Sequence, residues 1–335
     1  MEKVVLGIDI GATSAKLGLV DSAGNILVES SIPTPVNTSG VSAADFVKSL
    51  CEAAFVLQHQ AQAPVELIGI GVGAPNANYN KGTIEFAANL PWQHEIVPFV
   101  ELMQAYFPDL TIRITNDANA AAIGEMVYGG AKGMKDFVSI TLGTGLGSGI
   151  VVGGELVYGC DGFAGEVGHF IMVPNGRRCG CGRQGCLETY VSATGLKQTA
   201  FEVMSRRYFT DKSLLKAASF NEITPKYIAD AAQQGDSIAL EVFEKTGEML
   251  GLALANIVAF SSPEAIFLYG GLANAGDLLL TPTRKSMRDN MLKNFCKRTD
   301  DGQFVQEPNA LLLLSKLNNK NGSVLGAAAL VWHKK

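Results

Sequence analysis

The chain has 335 residues, of which 47% are hydrophobic, 18% charged and 8% aromatic, an ordinary composition for a globular protein with room for two domains. Its formal net charge of −5 argues against a strong electrostatic attraction to nucleic acid or to anionic membranes. The first residues, MEKVVLGIDIG, run straight into a predicted strand without a signal-peptide pattern, and no apolar run approaches the roughly 18 residues that span a bilayer, so we expect a cytoplasmic protein with reduced cysteines.

The first predicted element is a β-hairpin over Val4–Asp21, in which two aliphatic runs flank a bend of small residues. Glycines permit such a bend and let backbone N–H groups approach an anion closely. Asp9 lies at the bend, where a carboxylate beside phosphates suits Mg²⁺. The alternative is an aspartate that only caps the turn.

A second hairpin of the same kind is predicted over Phe137–Leu156, with the bend at Gly143–Gly149. The bend is not a Rossmann fingerprint, because a strand follows it instead of a helix, and it lacks the GK[ST] ending of a P-loop. A flexible hairpin without a ligand is the alternative. The repetition predicts two related halves that face each other over a phosphate chain.

Strands and helices alternate between the two hairpins, which predicts an α/β sheet. The elements expected here are a helix over Ser42–Gln60, a strand over Leu67–Val72 ending in the turn Gly73–Asn78, a strand over Thr111–Thr115, and a helix from Asn119 to Tyr128 that ends at Gly129–Gly130. Asn116 and Asp117 end the second strand, where a catalytic acid would project into a crevice. Asp117 as a mere N-cap of the following helix stays open. Asn89 lies in the loop NLPW, which is either a ligand-binding loop or a solvated one.

The second half of the chain is predicted to contain helices over Thr194–Arg207 and Ser237–Phe260 and a strand over Ile266–Tyr269 that stops at Gly270–Gly271. The last predicted helix, Gly322–Trp332, is apolar on most sides, so we expect it to be buried against the N-terminal half. A domain break is expected near residue 117 and again near 320. It would give a small lobe of residues 1–117 plus 321–335 and a large lobe of residues 118–320.

Three cysteines crowd into the segment GEVGHFIMVPNGRRCGCGRQGCLE at residues 165–188. Cys179, Cys181 and Cys186, with His169 upstream, match a closed tetrahedral zinc site of the structural kind. Glu166 and Glu188 flank it, which suggests a scaffold for a hydroxyl-rich ligand. Free thiols and a nucleic-acid-binding zinc knuckle are the alternatives, and the negative charge disfavours the second. The other cysteines are expected to be small buried residues: Cys51, Cys160 and Cys296.

The ordered motifs DIGAT, NDANAAA, LGTGLGSGIV, GEVGH and CGCGRQGCLE resemble those of ROK-family sugar kinases over essentially the whole chain, and most closely those of its bacterial glucokinases. The resemblance implies a hexokinase/actin-like (ribonuclease H-like) α/β fold with two lobes and an interlobe cleft. It also implies a homodimer, Mg²⁺ with ATP, a structural Zn²⁺, and phosphorylation of a hexose, with glucose at its 6-hydroxyl as the first expectation.

The resemblance assigns roles to particular residues. Asp117 would be the catalytic base. Sugar hydroxyls would be bound by Asn89, Asn116, Asp117, Glu166, His169 and Glu188. The nucleotide and its phosphates would be bound by Asp9, Gly11, Ala12, Thr13, Thr144, Gly145, Gly147, Gly270 and Gly271. Zinc would be held by His169, Cys179, Cys181 and Cys186, and Mg²⁺ by Asp9 directly or through a water.

The first hairpin departs from the DIGGTK common in this family, because Ala12 and Ser14 replace a glycine and a lysine, although Lys16 is close in sequence. Other expected acceptors are N-acetylglucosamine, N-acetylmannosamine, fructose, mannose and allose, and polyphosphate is an alternative donor. A non-catalytic sugar sensor and a sugar-responsive repressor remain as other classes. Such a repressor carries an N-terminal helix-turn-helix, for which we expect no room before the first hairpin.

Overall fold

The structure is a computed structural model that describes residues 1–36, 40–207, 212–219, 221–295, 297–298, 304–305, 311–317 and 321–333. Residue contacts divide the chain into two compact units. Unit 1 comprises Met1–Lys135, Gly149–Gly165 and Ser315–Lys335, and unit 2 comprises Asp136–Ser148 and Glu166–Leu314. Among the described helices, none combines the length and apolar character that crossing a bilayer requires.

The described elements follow one another along the chain as short strands and mostly longer helices. The strands and helices up to the second predicted hairpin are β1 (Glu2–Ile10), β2 (Ser14–Val20), β3 (Ile26–Pro33), α1 (Ala43–His59), β4 (Val65–Gly73), β5 (Ala77–Asn78), β6 (Thr83–Glu85), β7 (Ile96–Val97), α2 (Phe99–Gln104), β8 (Thr111–Thr115) and α3 (Asp117–Val127). Those that follow are β9 (Phe137–Leu142), β10 (Leu146–Val152), β11 (Glu155–Leu156), α4 (Ala193–Arg206), α5 (Leu214–Ala217), α6 (Pro225–Gln233), α7 (Ser237–Ser261), β12 (Ala265–Tyr269), α8 (Asp277–Asn290), β13 (Lys297–Arg298), β14 (Phe304–Val305), β15 (Leu312–Leu314) and α9 (Gly322–Trp332).

Unit 1 is built on a five-stranded sheet in the order β3-β2-β1-β4-β8. β1, β2 and β3 are antiparallel neighbours, which confirms the first predicted hairpin, while β4 is parallel to both β1 and β8. The strand β1 is a nearly continuous buried run. Helix α9 packs on β1, and α1 packs on its neighbours β2 and β3. Ser42 caps α1 by accepting a hydrogen bond from the Asp45 N–H at 3.1 Å, and the buried face of α1 includes Phe46 and Leu50.

The last helix, α9, is buried against the sheet of unit 1, as the sequence predicted. Its backbone approaches the strands so closely that side chains are excluded there. A Cβ added to Gly7 would lie 2.2 Å from the Val324 carbonyl oxygen, and one added to Gly71 would lie 1.8 Å from that of Ala327. Glycines in the middle of β1 and β4 therefore serve helix-on-sheet packing.

Unit 2 contains the parallel strands β9, β12 and β15, with β12 in the middle. On the other side of β9 lies β10, which pairs with the edge strand β11. The chain passes from unit 2 into unit 1 within β10, at Gly149. Helices α7 and α8 form the most extensive helix pair of this unit. Gly251 permits their approach, because an added Cβ would lie 2.4 Å from the Thr283 carbonyl oxygen.

Most predicted elements are confirmed to within two residues, and four predictions need comment. The turn predicted over Gly73–Asn78 is shorter, because Ala77–Asn78 pairs with β6 as a strand. Cys51 is buried as expected, whereas Cys160 is exposed, since it lies in the loop after β11 rather than in a packed element. Cys296 lies outside the described residues. The domain break near residue 117 stays a prediction, and residue contacts place α3 in unit 1, where it packs on α9.

Two candidate active-site clusters, one in each unit

The carboxyl ends of three parallel strands bring the acidic residues of unit 1 to one edge of its sheet. Asp9 on β1 pairs with Gly73 on β4, and Gly73 pairs with Thr115 on β8. Adjacent strands lie about 4.8 Å apart, so the backbones of Asp9 and Thr115 are about 10 Å apart. Asn116 and Asp117 follow Thr115 directly. Asp9 and Asp117 are therefore neighbours across a single intervening strand.

The structure decides which residue caps α3. The Asn116 side-chain oxygen accepts a hydrogen bond from the Asn119 N–H at 2.8 Å, which makes Asn116 the N-cap. Asp117 is the first residue of the helix, and its Oδ1 accepts from the Ala118 N–H at 2.8 Å. The N-cap role considered for Asp117 thus belongs to Asn116. Asp117 instead carries a carboxylate at the positive end of the helix.

The electrostatics of this edge distinguish its two carboxyl groups from ordinary surface acids. Desolvation raises the pKa of Asp117 and the negative charge of Asp9 adds to it, while the Ala118 N–H acts in the opposite direction. Solvent still reaches the Asp117 side chain, but the protein atoms around it displace much of its hydration. Desolvation also raises the pKa of Asp9, against a hydrogen bond from Ser323 and the charge of Lys16. A pair of this kind favours a shared proton or a cation.

Lys16 lies directly opposite Asp9 in the β1–β2 register. The first hairpin has a serine at position 14, where the family motif has a lysine. Lys16, two residues later, supplies a positive charge next to the Asp9 carboxylate. Counting outward from a four-residue bend at residues 11–14 pairs Asp9 with Lys16, as the register shows. The departure at Ser14 therefore does not leave this edge without a cation.

The bend of the first hairpin is held by a residue that sequence reasoning did not single out. The Thr34 hydroxyl donates a hydrogen bond to the Gly11 carbonyl oxygen at 2.8 Å, and the Thr34 N–H donates to that of Thr13 at 3.0 Å. The Gly11 N–H donates to the Ser14 carbonyl oxygen at 3.0 Å. Thr34 is buried, so the predicted phosphate-binding turn has a fixed conformation.

Asn89 lies exposed in a loop that is anchored by its neighbour Trp92. Trp92 is buried against Phe46, with ring centroids 5.4 Å apart, and its Nε1–H donates to the Val41 carbonyl oxygen at 3.2 Å. An exposed amide on an anchored loop is suited to binding a polar ligand.

In unit 2 the predicted zinc ligands converge. The ligand atoms of His169, Cys179, Cys181 and Cys186 all lie within 4.8 Å of one another. The Cys179 Sγ to His169 Nδ1 distance and the Cys181 Sγ to Cys186 Sγ distance are both 3.7 Å. A tetrahedron with Zn–S bonds of about 2.3 Å has S–S edges of about 3.8 Å, so the four residues fit a tetrahedral zinc site.

The surroundings of the ligands supply further support for a metal site. Desolvation acts to raise the pKa of Cys181, but hydrogen bonds from the backbone and side chain of Arg183 outweigh it and lower the pKa to about 6. His169 turns Nδ1 toward the thiols, while its Nε2 lies 3.9 Å from Glu166 Oε2. One ring nitrogen therefore serves the metal side and the other faces a residue predicted to bind sugar.

Glu188 lies between the predicted zinc ligands and the glycine bend of the second hairpin. Its Oε2 accepts a hydrogen bond from the Leu146 N–H at 2.9 Å, and its Oε1 lies 3.7 Å from Cys179 Sγ. A Cβ added to Gly145 would lie 2.3 Å from Glu188 Oε2, so this carboxylate packs closely on the glycine and would have to shift if the position carried a side chain. Two residues expected to bind different substrates are thus in direct contact.

The glycines after β12 lie beside the same bend. Tyr269 pairs in parallel with Thr141, so Gly270–Gly271 and Gly143–Gly145 follow neighbouring strands at one sheet edge. Gly270 has φ of +106°, and a Cβ there would lie 2.5 Å from the Leu142 carbonyl oxygen. The predicted phosphate-binding and adenosine-binding glycines of unit 2 therefore form one surface.

Arg177 is a structural residue of this cluster that the sequence did not reveal. Its buried guanidinium forms a two-bond ion pair with Glu202 at 2.9 and 2.7 Å. It also donates to the carbonyl oxygens of Thr189 and Gly195 and stacks over Tyr190. These contacts fasten the cysteine-rich segment to α4. An arginine in RRCGCG carries no local signal for partners that lie more than ten residues away.

The model of the ROK family matches residues 5–334. Glucokinase of Streptomyces coelicolor is 36% identical over 333 residues, covering 98% of this chain and 97% of that protein. The crystal structure of a ROK family glucokinase from Streptomyces griseus in complex with glucose and AMPPNP is similar with a TM-score of 0.77 and 33% identity, covering 98% of each chain. A xylose repressor of Caldicellulosiruptor bescii is 29% identical over 98% of this chain and 77% of its own length.

Proposed function

This chain belongs to the ROK family, and we propose that it transfers the γ-phosphoryl group of ATP to the 6-hydroxyl of glucose, forming glucose 6-phosphate and ADP. Similarity to glucokinases at 36% identity along nearly the whole chain supports the reaction class and the acceptor. The relative solved with glucose and AMPPNP, at 33% identity, supports the pair of substrates.

The observation that carries the catalytic part of the proposal is the position of Asp117, an acid at the end of β8 whose pKa is raised next to Asp9. A raised pKa makes a carboxylate a stronger base, provided that it is ionised at the working pH. In the proposed reaction the hydroxyl proton moves to Asp117 as the hydroxyl oxygen forms a bond to the γ-phosphorus. The bond between that phosphorus and the bridging oxygen breaks, and ADP leaves.

Sugar recognition is proposed for the polar side chains to which the family resemblance assigns this role. These are Asn89, Asn116, Asp117, Glu166, His169 and Glu188. Fixed donors and acceptors of this kind reject epimers that leave them unpaired, because an unpaired buried polar group costs free energy. The Nε2 of His169 is the ring nitrogen available for such a bond in this arrangement.

A role in phosphate binding is proposed for the bend of each hairpin. The backbone of Gly11, Ala12 and Thr13 and that of Thr144, Gly145 and Gly147 would face the phosphates, with Gly270 and Gly271 near the adenosine. Asp9 would hold Mg²⁺, which when bound neutralises phosphate charge. His169 and the three cysteines would hold Zn²⁺, which orders the segment that carries Glu188.

A sugar panel tests the proposal. The purified protein is assayed with ATP and glucose, fructose, mannose, allose, N-acetylglucosamine and N-acetylmannosamine, and kcat/KM is compared. Glucose is expected to give the highest value, and polyphosphate in place of ATP is expected to give a lower rate. A higher value for an N-acetylated sugar would reassign the acceptor. Absence of turnover with every sugar, while sugar still binds, would favour a sensor or repressor. A homodimer and a cytoplasmic location stay predictions.

A further inference from the structure

The bend of the second hairpin is hydrogen-bonded to residues 186–194, which we call the linker segment. Three hydrogen bonds join the two. The Leu146 N–H donates to Glu188 Oε2 at 2.9 Å, the Ala193 N–H donates to the Gly143 carbonyl oxygen at 2.9 Å, and the Thr194 hydroxyl donates to that of Thr144 at 3.2 Å. The linker segment therefore fixes both sides of the bend.

The same linker segment begins at a metal ligand. Cys186 is fully buried, and Glu188 lies two residues after it on a short 3-10 helix, Leu187–Thr189. Glu188 Oε1 is also 3.7 Å from the sulfur of Cys179. Two of the four zinc ligands thus lie next to the Glu188 carboxylate. Cys186 is two residues away along the chain, and Cys179 is close in space.

We propose that Glu188 is a positioning residue that couples the zinc centre to the nucleotide-binding hairpin, so that occupancy of the metal site sets the affinity for ATP phosphates. The proposal rests on the proposed function, because it takes the bend at Gly143–Gly147 as a phosphate-binding element. It assigns Glu188 a structural partner in addition to the sugar hydroxyl expected for it. Its distinguishing consequence is that an effect of Glu188 on nucleotide binding appears in the absence of any sugar.

The contact between Glu188 and the bend depends on a glycine at position 145. Gly145 leaves room for the carboxylate, and a methyl group at that position would come within 2.3 Å of Glu188 Oε2. Because such a distance is far below van der Waals contact, either the carboxylate or the bend must move. Gly145→Ala therefore disturbs the contact from the hairpin side, while Glu188 and the four zinc ligands keep their identities.

The first experiment measures the Kd for AMPPNP with Mg²⁺ by calorimetry, without sugar, on zinc-loaded protein. Glu188→Ala and Gly145→Ala are expected to raise the Kd about tenfold or more. Glu188→Gln keeps an oxygen acceptor for the Leu146 N–H and is expected to stay within about threefold of the unmodified protein. Glu244→Ala, an exposed glutamate on α7, is the control and should leave the Kd unchanged. Equal Kd values for the unmodified protein and Glu188→Ala would overturn the proposal.

The second experiment removes zinc with a chelator and repeats the titration, with elemental analysis and circular dichroism on each sample. In the unmodified protein, zinc removal is expected to raise the Kd about tenfold, whereas in Glu188→Ala most of that zinc dependence should be lost. The same zinc dependence in both would overturn the coupling while leaving the kinase proposal intact. No nucleotide binding by the zinc-loaded unmodified protein would overturn both. If the zinc-free protein unfolds, the comparison of Glu188→Ala with Glu188→Gln on zinc-loaded protein decides whether Glu188 positions the hairpin, and equal Kd values for the two variants would overturn the proposal.

Discussion

Replacement of Asp117 by Asn removes the proposed base with little change of shape. The Asn side-chain oxygen can still accept the hydrogen bond that Asp117 Oδ1 accepts from the Ala118 N–H at 2.8 Å, so the start of α3 should be preserved. What is lost is the group that takes the hydroxyl proton. General-base catalysis contributes about 10² to 10⁴ in rate, or about 2.7 to 5.4 kcal/mol of transition-state stabilisation.

The assay couples glucose 6-phosphate formation to a dehydrogenase and follows kcat, while calorimetry gives the Kd for glucose. We expect Asp117→Asn to lower kcat by about 10² to 10⁴ and to change the glucose Kd only modestly. Asp109→Asn, an exposed aspartate in the loop before β8, is the matched control. If Asp117→Asn keeps more than about a tenth of the normal kcat, a general-base contribution of this size is ruled out.

The pH dependence of stability provides an independent check. Because the pKa of Asp117 is raised above its ordinary value of 3.8, the folded protein binds more protons than the unfolded chain between that value and the raised pKa. The contribution of Asp117 to stability therefore falls as the pH rises through this window. Asp117→Asn should lose that fall and should have a Tm at pH 7 no lower than that of the unmodified protein. A marked drop in Tm would mean that the ionised carboxylate stabilises the fold.

Three further predictions concern the scaffold. Cys181→Ser should reduce the zinc content measured by elemental analysis and lower the Tm, because it removes one of four ligands; unchanged zinc content would argue against the site. Gly71→Ala should destabilise unit 1 by about 3 kcal/mol or more in urea unfolding, since its Cβ would lie 1.8 Å from the Ala327 carbonyl oxygen. Gly271→Ala is the control, because its Cβ would meet no atom within 4 Å and should change the free energy of unfolding little. Arg177→Lys should cost about 2 kcal/mol or more in the same assay, because lysine cannot replace the two-bond pair with Glu202; a midpoint equal to that of the unmodified protein would contradict this.

Elements with local end signals were predictable from sequence. Helices α1, α7 and α9 were located to within one residue, because their apolar patterns are bounded by caps or by charged and polar residues. The start of α3 was placed two residues late, because Asn116 rather than a later residue is the cap. α8 was missed altogether, and Pro282 lies inside it, where proline normally argues against a helix.

The parts of the clusters that escaped prediction depend on partners distant in sequence. Thr34 reaches the bend at Gly11 across 23 residues, and Arg177 reaches Glu202 across 25. The contact of Glu188 with Leu146 spans 42 residues and joins two motifs that were each recognised separately. No periodicity or spacing reveals such pairs, because the pairing is set by how strands and loops stack in three dimensions. The convergence of the four residues of the candidate zinc site was predictable because three of them lie within eight positions.

The most direct test of the central claim is to identify the product by ³¹P and ¹³C magnetic resonance after incubation with ATP, Mg²⁺ and glucose. The account predicts one equivalent of glucose 6-phosphate for each ADP, with both formed about 10² to 10⁴ times more slowly by Asp117→Asn. A phosphate attached at another hydroxyl, ADP formed without phosphorylated sugar, or equal product from Asp117→Asn would contradict it.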